Sequence, residues 1–198
     1  LLKWTYQSAD AVIAISTYTW QEVLKKISLK TMRVISPGVD FKRFDREHRE
    51  SSEQFILGVG ALKYRKGYHI SIPAFATVKK NIPGLRYVIV GEQEDVPYFK
   101  ELRDLAMQYD VQDDVRFFAD ISDEALGDLY SKARLFVLTS VNEGYHFEGF
   151  GLVFLEAAAA GLPVLGTTGN GITDAIADRR NGFLVPQGDI NATAEAME

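Results

Sequence analysis

From Phe55 onward, short apolar runs alternate with longer stretches of helical character, and this alternation limits the fold more than any other property of the chain. The runs are Phe55 to Val59, Tyr87 to Val90, Val115 to Phe118, Leu135 to Leu138, Pro163 to Leu165 and Phe183 to Val185. All are brief, apolar and rich in β-branched or aromatic residues, as strands covered on both faces are. Helical stretches at about 68–80, 97–109, 123–132, 152–160 and 172–178 separate them. Gly161 with Pro163 closes the fourth helix, because glycine suits a left-handed closing position and proline cannot continue a helix. Alternation with short connections predicts an α/β fold over residues 54–198: a Rossmann-like parallel sheet of about six strands with helices on both faces. Ligands of such sheets gather at the carboxyl ends of the strands.

Upstream, Ala11 to Ile15 reads as a short strand ending at Ser16, a cap for a helix from Thr17 to Ile27, and Met32 to Ile35 as a second strand. Ser36-Pro37-Gly38-Val39-Asp40 has turn chemistry, and the charged stretch Lys42 to Glu53 has little to bury, so residues 37–53 read as a linker. On its own this pattern allows residues 1–36 to be a small βα unit that extends the main domain. The chain opens on Leu1 and stops at Glu198 inside a helix begun at Asp189, which predicts a fragment cut at both ends.

The richest stretch for chemistry is Glu148-Gly-Phe-Gly-Leu-Val-Phe-Leu-Glu156. Leu152 to Ala160 is an unbroken helix-forming run. Gly149 and Gly151 can adopt angles closed to other residues, so the amides of Gly149, Phe150, Gly151 and Leu152 can converge at the positive end of that helix, where phosphate is attracted. Glu156 lies one turn beyond Leu152 on the same face, and its carboxylate suits sugar hydroxyls better than phosphate. The pattern reads as a cradle for a sugar nucleotide. A second basic element, Lys63-Tyr64-Arg65-Lys66-Gly67, follows the first strand of the sheet. Arg65 can grip phosphate oxygens with its planar fork and Lys66 can act as a point charge on the same group; the plainer reading is a solvated basic loop.

Glu148-x7-Glu156 with its internal Gly-Phe-Gly, followed by Gly161-Leu162-Pro163-Val164, resembles the donor-binding half of retaining GT-B glycosyltransferases of the large group-one (GT4-like) family. The resemblance implies a fold and a set of roles. Residues 1–36 become the remnant of an N-terminal, acceptor-side domain, 37–53 the crossing linker, and 54–198 the domain that binds a nucleoside-diphosphate sugar. Glu148 contacts donor-sugar hydroxyls and stabilises positive charge at the anomeric carbon, Glu156 holds the ribose, and Lys66, with Arg65, binds the diphosphate. The family commonly has an arginine directly after the strand glycine, where this chain has Ala61. Gly91 with Glu92 resembles the turn beneath the nucleotide. Ile121 sits where family members line the base; it reads equally as a core residue beside a helix cap at Ser122. Asn170 and Gly171, within Thr167-Thr168-Gly169-Asn170-Gly171-Ile172-Thr173-Asp174, resemble a Gly-Gly-x-x-Glu loop with Asn170 in left-handed geometry for the first glycine and Asp174 for the glutamate. The loop before Glu148, from Thr139 to Phe147, is longer than the family's, and His146 reads as a surface residue. GT-B enzymes resemble one another in needing no metal, so no cofactor is expected beyond the donor.

Composition narrows the alternatives. A formal charge of −5 over 198 residues argues against a general nucleic-acid binder, since polyanion affinity needs a basic surface. With no cysteine, thiolate metal sites and cysteine nucleophiles are excluded, and none of the three histidines stands at ligand spacing. No apolar run approaches the roughly 20 residues needed to span a bilayer; a cytoplasmic location is expected, with membrane association only through the missing part. The expected function is retaining sugar transfer from a nucleoside-diphosphate sugar to a sugar or lipid-linked acceptor, with the acceptor site elsewhere and this fragment alone inactive. One competing reading is a nonenzymatic nucleotide-binding or assembly domain on the same fold. Another is a dinucleotide-dependent dehydrogenase, disfavoured because Gly58-Val59-Gly60-Ala61-Leu62-Lys63 lacks the third glycine of the pyrophosphate fingerprint.

Overall fold

The computed structural model describes residues 2–45 and 53–198. In chain order the elements are α1 (Leu2–Ser8), β1 (Val12–Ala14), α2 (Thr17–Leu24), β2 (Met32–Val34), α3 (Phe41–Phe44), β3 (Phe55–Val59), α4 (Tyr68–Asn81), β4 (Arg86–Val90), α5 (Val96–Gln108), β5 (Val115–Phe118), α6 (Asp123–Lys132), β6 (Leu135–Val137), α7 (Leu152–Ala159), β7 (Val164–Thr167), β8 (Gly182–Val185) and α8 (Ile190–Met197). Strands β3 to β8 form one six-stranded sheet in the order β5-β4-β3-β6-β7-β8, every pairing parallel. The expected α/β architecture and strand count are therefore present. All residues of β3, β6 and β7 are buried, as strands covered by helices on both faces require. Tyr87, Phe75, Phe136 and Phe154 fill the space between sheet and helices.

Strand order places the site. The chain runs β3, β4, β5 to one edge, then returns to lay β6 on the other side of β3 and continues outward through β7 and β8. The winding direction reverses between β3 and β6. In sheets of this kind the loops leaving two such strands diverge over and under the sheet, and ligands bind at the strands' carboxyl ends.

Several boundaries differ from the sequence reading. The helix expected at 172–178 is a single 3₁₀ turn, Gly171–Asp174. The chain is drawn out of helical geometry there because Asn181 accepts from the Ala177 amide and Asp178 accepts from the Leu184 amide, tying the segment to β8. Helix α2 stops at Leu24 rather than Ile27. The stretch expected to have little to bury carries α3, whose Phe44 is buried against Tyr130; the linker residues 46–52 lie outside the described residues. Ser16 caps α2 as expected, its Oγ accepting from the Thr19 amide, and Gly161 closes α7 at φ 79°.

The N-terminal unit docks on the main sheet's loops. β1 and β2 form a separate two-stranded parallel sheet, and α2 lies against the 3₁₀ turn at Gly171–Asp174. Among the described residues no helix is long and apolar enough to cross a membrane.

Candidate functional site

The carboxyl ends of β3 and β6 bring together the basic loop and the first motif acid. After β3 the chain turns through a 3₁₀ segment, Tyr64–Lys66, which ends at Gly67 in left-handed geometry, φ 73°. A Cβ at Gly67 would lie 1.8 Å from the Thr139 carbonyl oxygen, so no other residue fits where this loop crosses the end of β6. The Thr139 hydroxyl donates to the Gly67 carbonyl at 2.7 Å and holds the crossing. That seam delivers Lys66. Its Nζ donates to Glu148 Oε2 at 2.5 Å, Arg65 approaches the same oxygen at 3.4 Å, and the Ser140 hydroxyl lies 3.5 Å from it. Lys66 and Glu148 are each little more than one-tenth exposed. An ion pair this sheltered keeps most of its attraction.

Glu148 leads directly into α7. Gly151 is left-handed at φ 84° and forms the helix's N-cap position without a side-chain cap. Among the described residues the amides of Gly149, Phe150, Gly151 and Leu152 donate to no protein acceptor. The start of α7 thus presents unpaired N–H groups and the positive end of the helix dipole beside two cations. Phe150 and Gly151 are buried and Gly149 is half-buried, so of the four residues Leu152 is the exposed one. One turn on, Glu156 Oε2 accepts from the Tyr130 hydroxyl at 2.9 Å.

Asn170 and Gly171 lie under the turn. Gly171 donates its amide to the Glu148 carbonyl at 2.8 Å and packs so closely that a Cβ would sit 2.0 Å from the Gly149 oxygen. Asn170 does not take the left-handed geometry expected from its place in the motif; it is extended, φ −152°. Its side chain is fully buried, with Nδ2 donating to Thr167 Oγ1 at 3.0 Å and Oδ1 accepting from the Ile172 amide at 3.0 Å. Holding these partners requires the extended backbone. Gly171 supports the turn directly, and Asn170 fixes the loop that carries Gly171.

The base side is less gathered. Gly91 crosses β3's exit so tightly that a Cβ would meet the Gly60 carbonyl at 2.0 Å, and Leu62 donates to the Glu92 carbonyl at 2.8 Å. Ile121 is half-buried against the core, while Ser122 caps α6 through the Ala125 amide at 3.2 Å. No bond among the described residues joins Gly91 or Ile121 to the Glu148 cluster.

The site's roof comes from the N-terminal unit. Asp174 Oδ2 accepts from the Thr17 amide at 2.7 Å, the Thr19 hydroxyl donates to the Gly149 carbonyl at 3.3 Å, and Ile15 covers Gly149. Tyr18 packs edge-on against Phe147, and Asn142 donates to its hydroxyl at 3.0 Å. The long loop before Glu148 therefore has a structural partner, and its exposed Tyr145 carries the Lys26 ammonium over its ring. His146 is exposed, as expected. Sequence reasoning missed Ser140, Thr139 and Tyr130. Thr139-Ser140 ends a predicted strand, a place to search; nothing near Tyr130 in sequence points to Glu156.

Beside the basic loop, the His69 ring stacks on Tyr64 and its Nδ1 lies 2.9 Å from the Tyr98 hydroxyl. Burial lowers its pKa from the ordinary 6.5. The folded chain then binds fewer protons than the unfolded one, so this contribution to stability is fully present above pH 6.5 and declines as the pH falls below it. Thermal melts from about pH 7 to about pH 5.5 are expected to show a falling Tm, with a shallower fall in His69→Gln.

An open parallel sheet with cations, unpaired helix amides and two acids at its crossover defines a GT-B-type, Rossmann-like half. The chain belongs to the group 1 glycosyl transferases, whose family model matches residues 40–198. The dehydrogenase alternative falls with that assignment. Similar proteins include a GDP-mannose-dependent alpha-(1-6)-phosphatidylinositol monomannoside mannosyltransferase of Mycobacterium tuberculosis, 27% identical over 95% of this chain and 51% of that protein. Glycogen synthase of the same species is 30% identical over 98% of this chain and 46% of that protein. Among solved structures, sucrose-phosphate synthase from Thermosynechococcus elongatus superposes with a TM-score of 0.86 at 28% identity, over 99% of this chain and 50% of that one. The chain spans about half the length of the curated relatives it matches.

Proposed function

We propose that this chain supplies the donor-binding site of a glycosyltransferase that moves a sugar, with retention of anomeric configuration, from a nucleoside-diphosphate sugar to an acceptor. On this reading residues 1–36 belong to the acceptor-side domain, 37–53 cross between domains, and 54–198 hold the donor. Lys66, Arg65 and the amides at the start of α7 receive the diphosphate and meet the charge that grows on it as the sugar departs. Glu148 faces the sugar and the positive charge at its anomeric carbon. Glu156 takes the ribose hydroxyls, and Gly91 and Ile121 lie on the base side. Asn170 and Gly171 serve by fixing the turn. No metal is called for, because the local cations and helix end supply the positive charge. Structures similar in fold include Anabaena HepE in complex with UDP and with UDP-glucose, which supports a nucleoside-diphosphate donor.

The observation that carries the reading is the meeting of Lys66 and Arg65 with Glu148 at the uncapped start of α7. Calorimetry with UDP, GDP and ADP tests it: at least one is expected to bind with a Kd of about 1 to 100 μM. Lys66→Ala is expected to weaken that binding about 10- to 100-fold, the loss of one charge-assisted phosphate contact. Silence from all three nucleotides would remove the donor-site reading, and equal affinity of the two proteins would remove the cation assignment. Engagement of Asp174 by the Thr17 amide favours a second reading, a nucleotide-binding domain without transfer, because a carboxylate so held is withdrawn from a sugar. Transfer of radiolabelled sugar by the full-length protein separates the two.

A further inference from the structure

Tyr130 lies in α6, on a different element from either motif acid, and is fully buried. Its ring is clamped edge-on by Phe44 of α3, with centroids 5.8 Å apart, and packs against Phe136 of β6 at 6.0 Å. A ring so held can move its hydroxyl very little. That hydroxyl donates to Glu156 Oε2 at 2.9 Å, and among the described residues the other carboxylate oxygen of Glu156 has no protein donor. Burial, and after it the charge of Glu156, pushes the Tyr130 hydroxyl well above its ordinary value, so it remains a donor throughout the working range.

We propose that Tyr130 is a positioning residue for ribose recognition: it fixes one oxygen of Glu156 so that the other is presented, already oriented, to the ribose hydroxyls of a nucleoside diphosphate. Glutamate on a helix has three rotatable side-chain bonds, and ordering them at the moment of binding weakens affinity. A hydrogen bond from a clamped phenol to the carboxylate does that ordering in advance, and being charge-assisted it is among the stronger kinds. Phe44 extends the arrangement to the segment that crosses from the N-terminal unit: α3 sets the ring, the ring sets the acid. The inference rests on the reading of Glu156 as the ribose acid.

Affinities of this chain for UDP, GDP and ADP, each against its 2′,3′-dideoxy counterpart, test it. For whichever base binds, wild type is expected to prefer the ribonucleotide about tenfold, and Tyr130→Phe to reduce that preference to about twofold while leaving dideoxy affinity unchanged. Glu156→Gln is expected to show the same reduced preference, and adding Tyr130→Phe to it to change nothing more. A lost phenol that only loosened packing would weaken both ligands alike and leave the ratio intact, which overturns the proposal while the donor site stands. A wild type that binds ribo and dideoxy forms equally overturns it through Glu156, and one that binds no nucleotide removes the donor-site reading beneath it. Should Tyr130→Phe not fold, the buried tyrosine hydroxyl proton of the wild type, observed by NMR with labelled tyrosine, is expected to shift with the ribonucleotide and not with the dideoxy form; an unmoved proton overturns the proposal.

Discussion

Glu148→Gln in the full-length protein is expected to lower kcat for sugar transfer about 100- to 1000-fold, the scale of losing one prearranged charge at a transition state, while the same change in this chain leaves affinity for a free nucleoside diphosphate undiminished or a few-fold tighter. The two halves have opposite signs for one reason. In the free chain Glu148 Oε2 holds both Lys66, at 2.5 Å, and Arg65, at 3.4 Å. Neutralising the acid releases two cations to a phosphate that would otherwise compete for them. On the proposed function transfer is expected to lose instead, because the positive charge developing on the sugar would no longer have its carboxylate. Calorimetry on this chain and steady-state kinetics on the full-length protein read the two quantities separately. A marked loss of nucleotide affinity in Glu148→Gln would mean that the acid does not shield the cations, and the roles assigned to the pair would have to be exchanged.

Gly171→Ala is expected to destabilise the fold by about 3 kcal/mol, a fall in Tm of about 6 to 12 °C for a domain of this size, and to weaken nucleotide binding as well. The added methyl would stand 2.0 Å from the Gly149 carbonyl oxygen and 2.9 Å from that of Glu148. Both neighbours are backbone, so no rotamer change relieves the clash. The turn that carries the motif acid and the free amides must shift, and with it the Gly171 amide that donates to the Glu148 carbonyl. Gly144→Ala is the matching control: it is left-handed at φ 58° but faces open space, so only the backbone penalty of about 1 kcal/mol applies. Comparable melting temperatures for the two variants would show that the close packing under the turn carries little energy.

Much of this protein is legible in its amino-acid sequence. Strand and helix identity follow from local propensity and the spacing of apolar residues, and all six expected strands of the sheet exist within a residue or two of their predicted ends. The motif at Glu148–Glu156 marks a helix start without a side-chain cap for an equally local reason: two glycines precede a run of strong helix formers. Where local signals compete with distant partners, they fail. The pattern around Asn170 predicts a left-handed residue, but its buried bonds to Thr167 and the Ile172 amide select an extended backbone. The helix expected at 172–178 gives way to one turn because Asp178 and Asn181 bind the chain next to β8.

By itself, then, the order of residues determined the six strands of the sheet, most of the helices, and where a helix would start without a side-chain cap, since each depends on neighbours within a few positions. Tertiary structure alone decided which loops meet. The reversal of winding between β3 and β6 brings Lys66 to Glu148 across 82 positions, and the packing of α6 brings Tyr130 to Glu156 across 26. Docking of the N-terminal unit brings Thr17 to Asp174 across 157. No pattern in the chain encodes such pairs, because a parallel sheet joins strands in an order set by the burial of whole faces rather than by any residue's immediate surroundings.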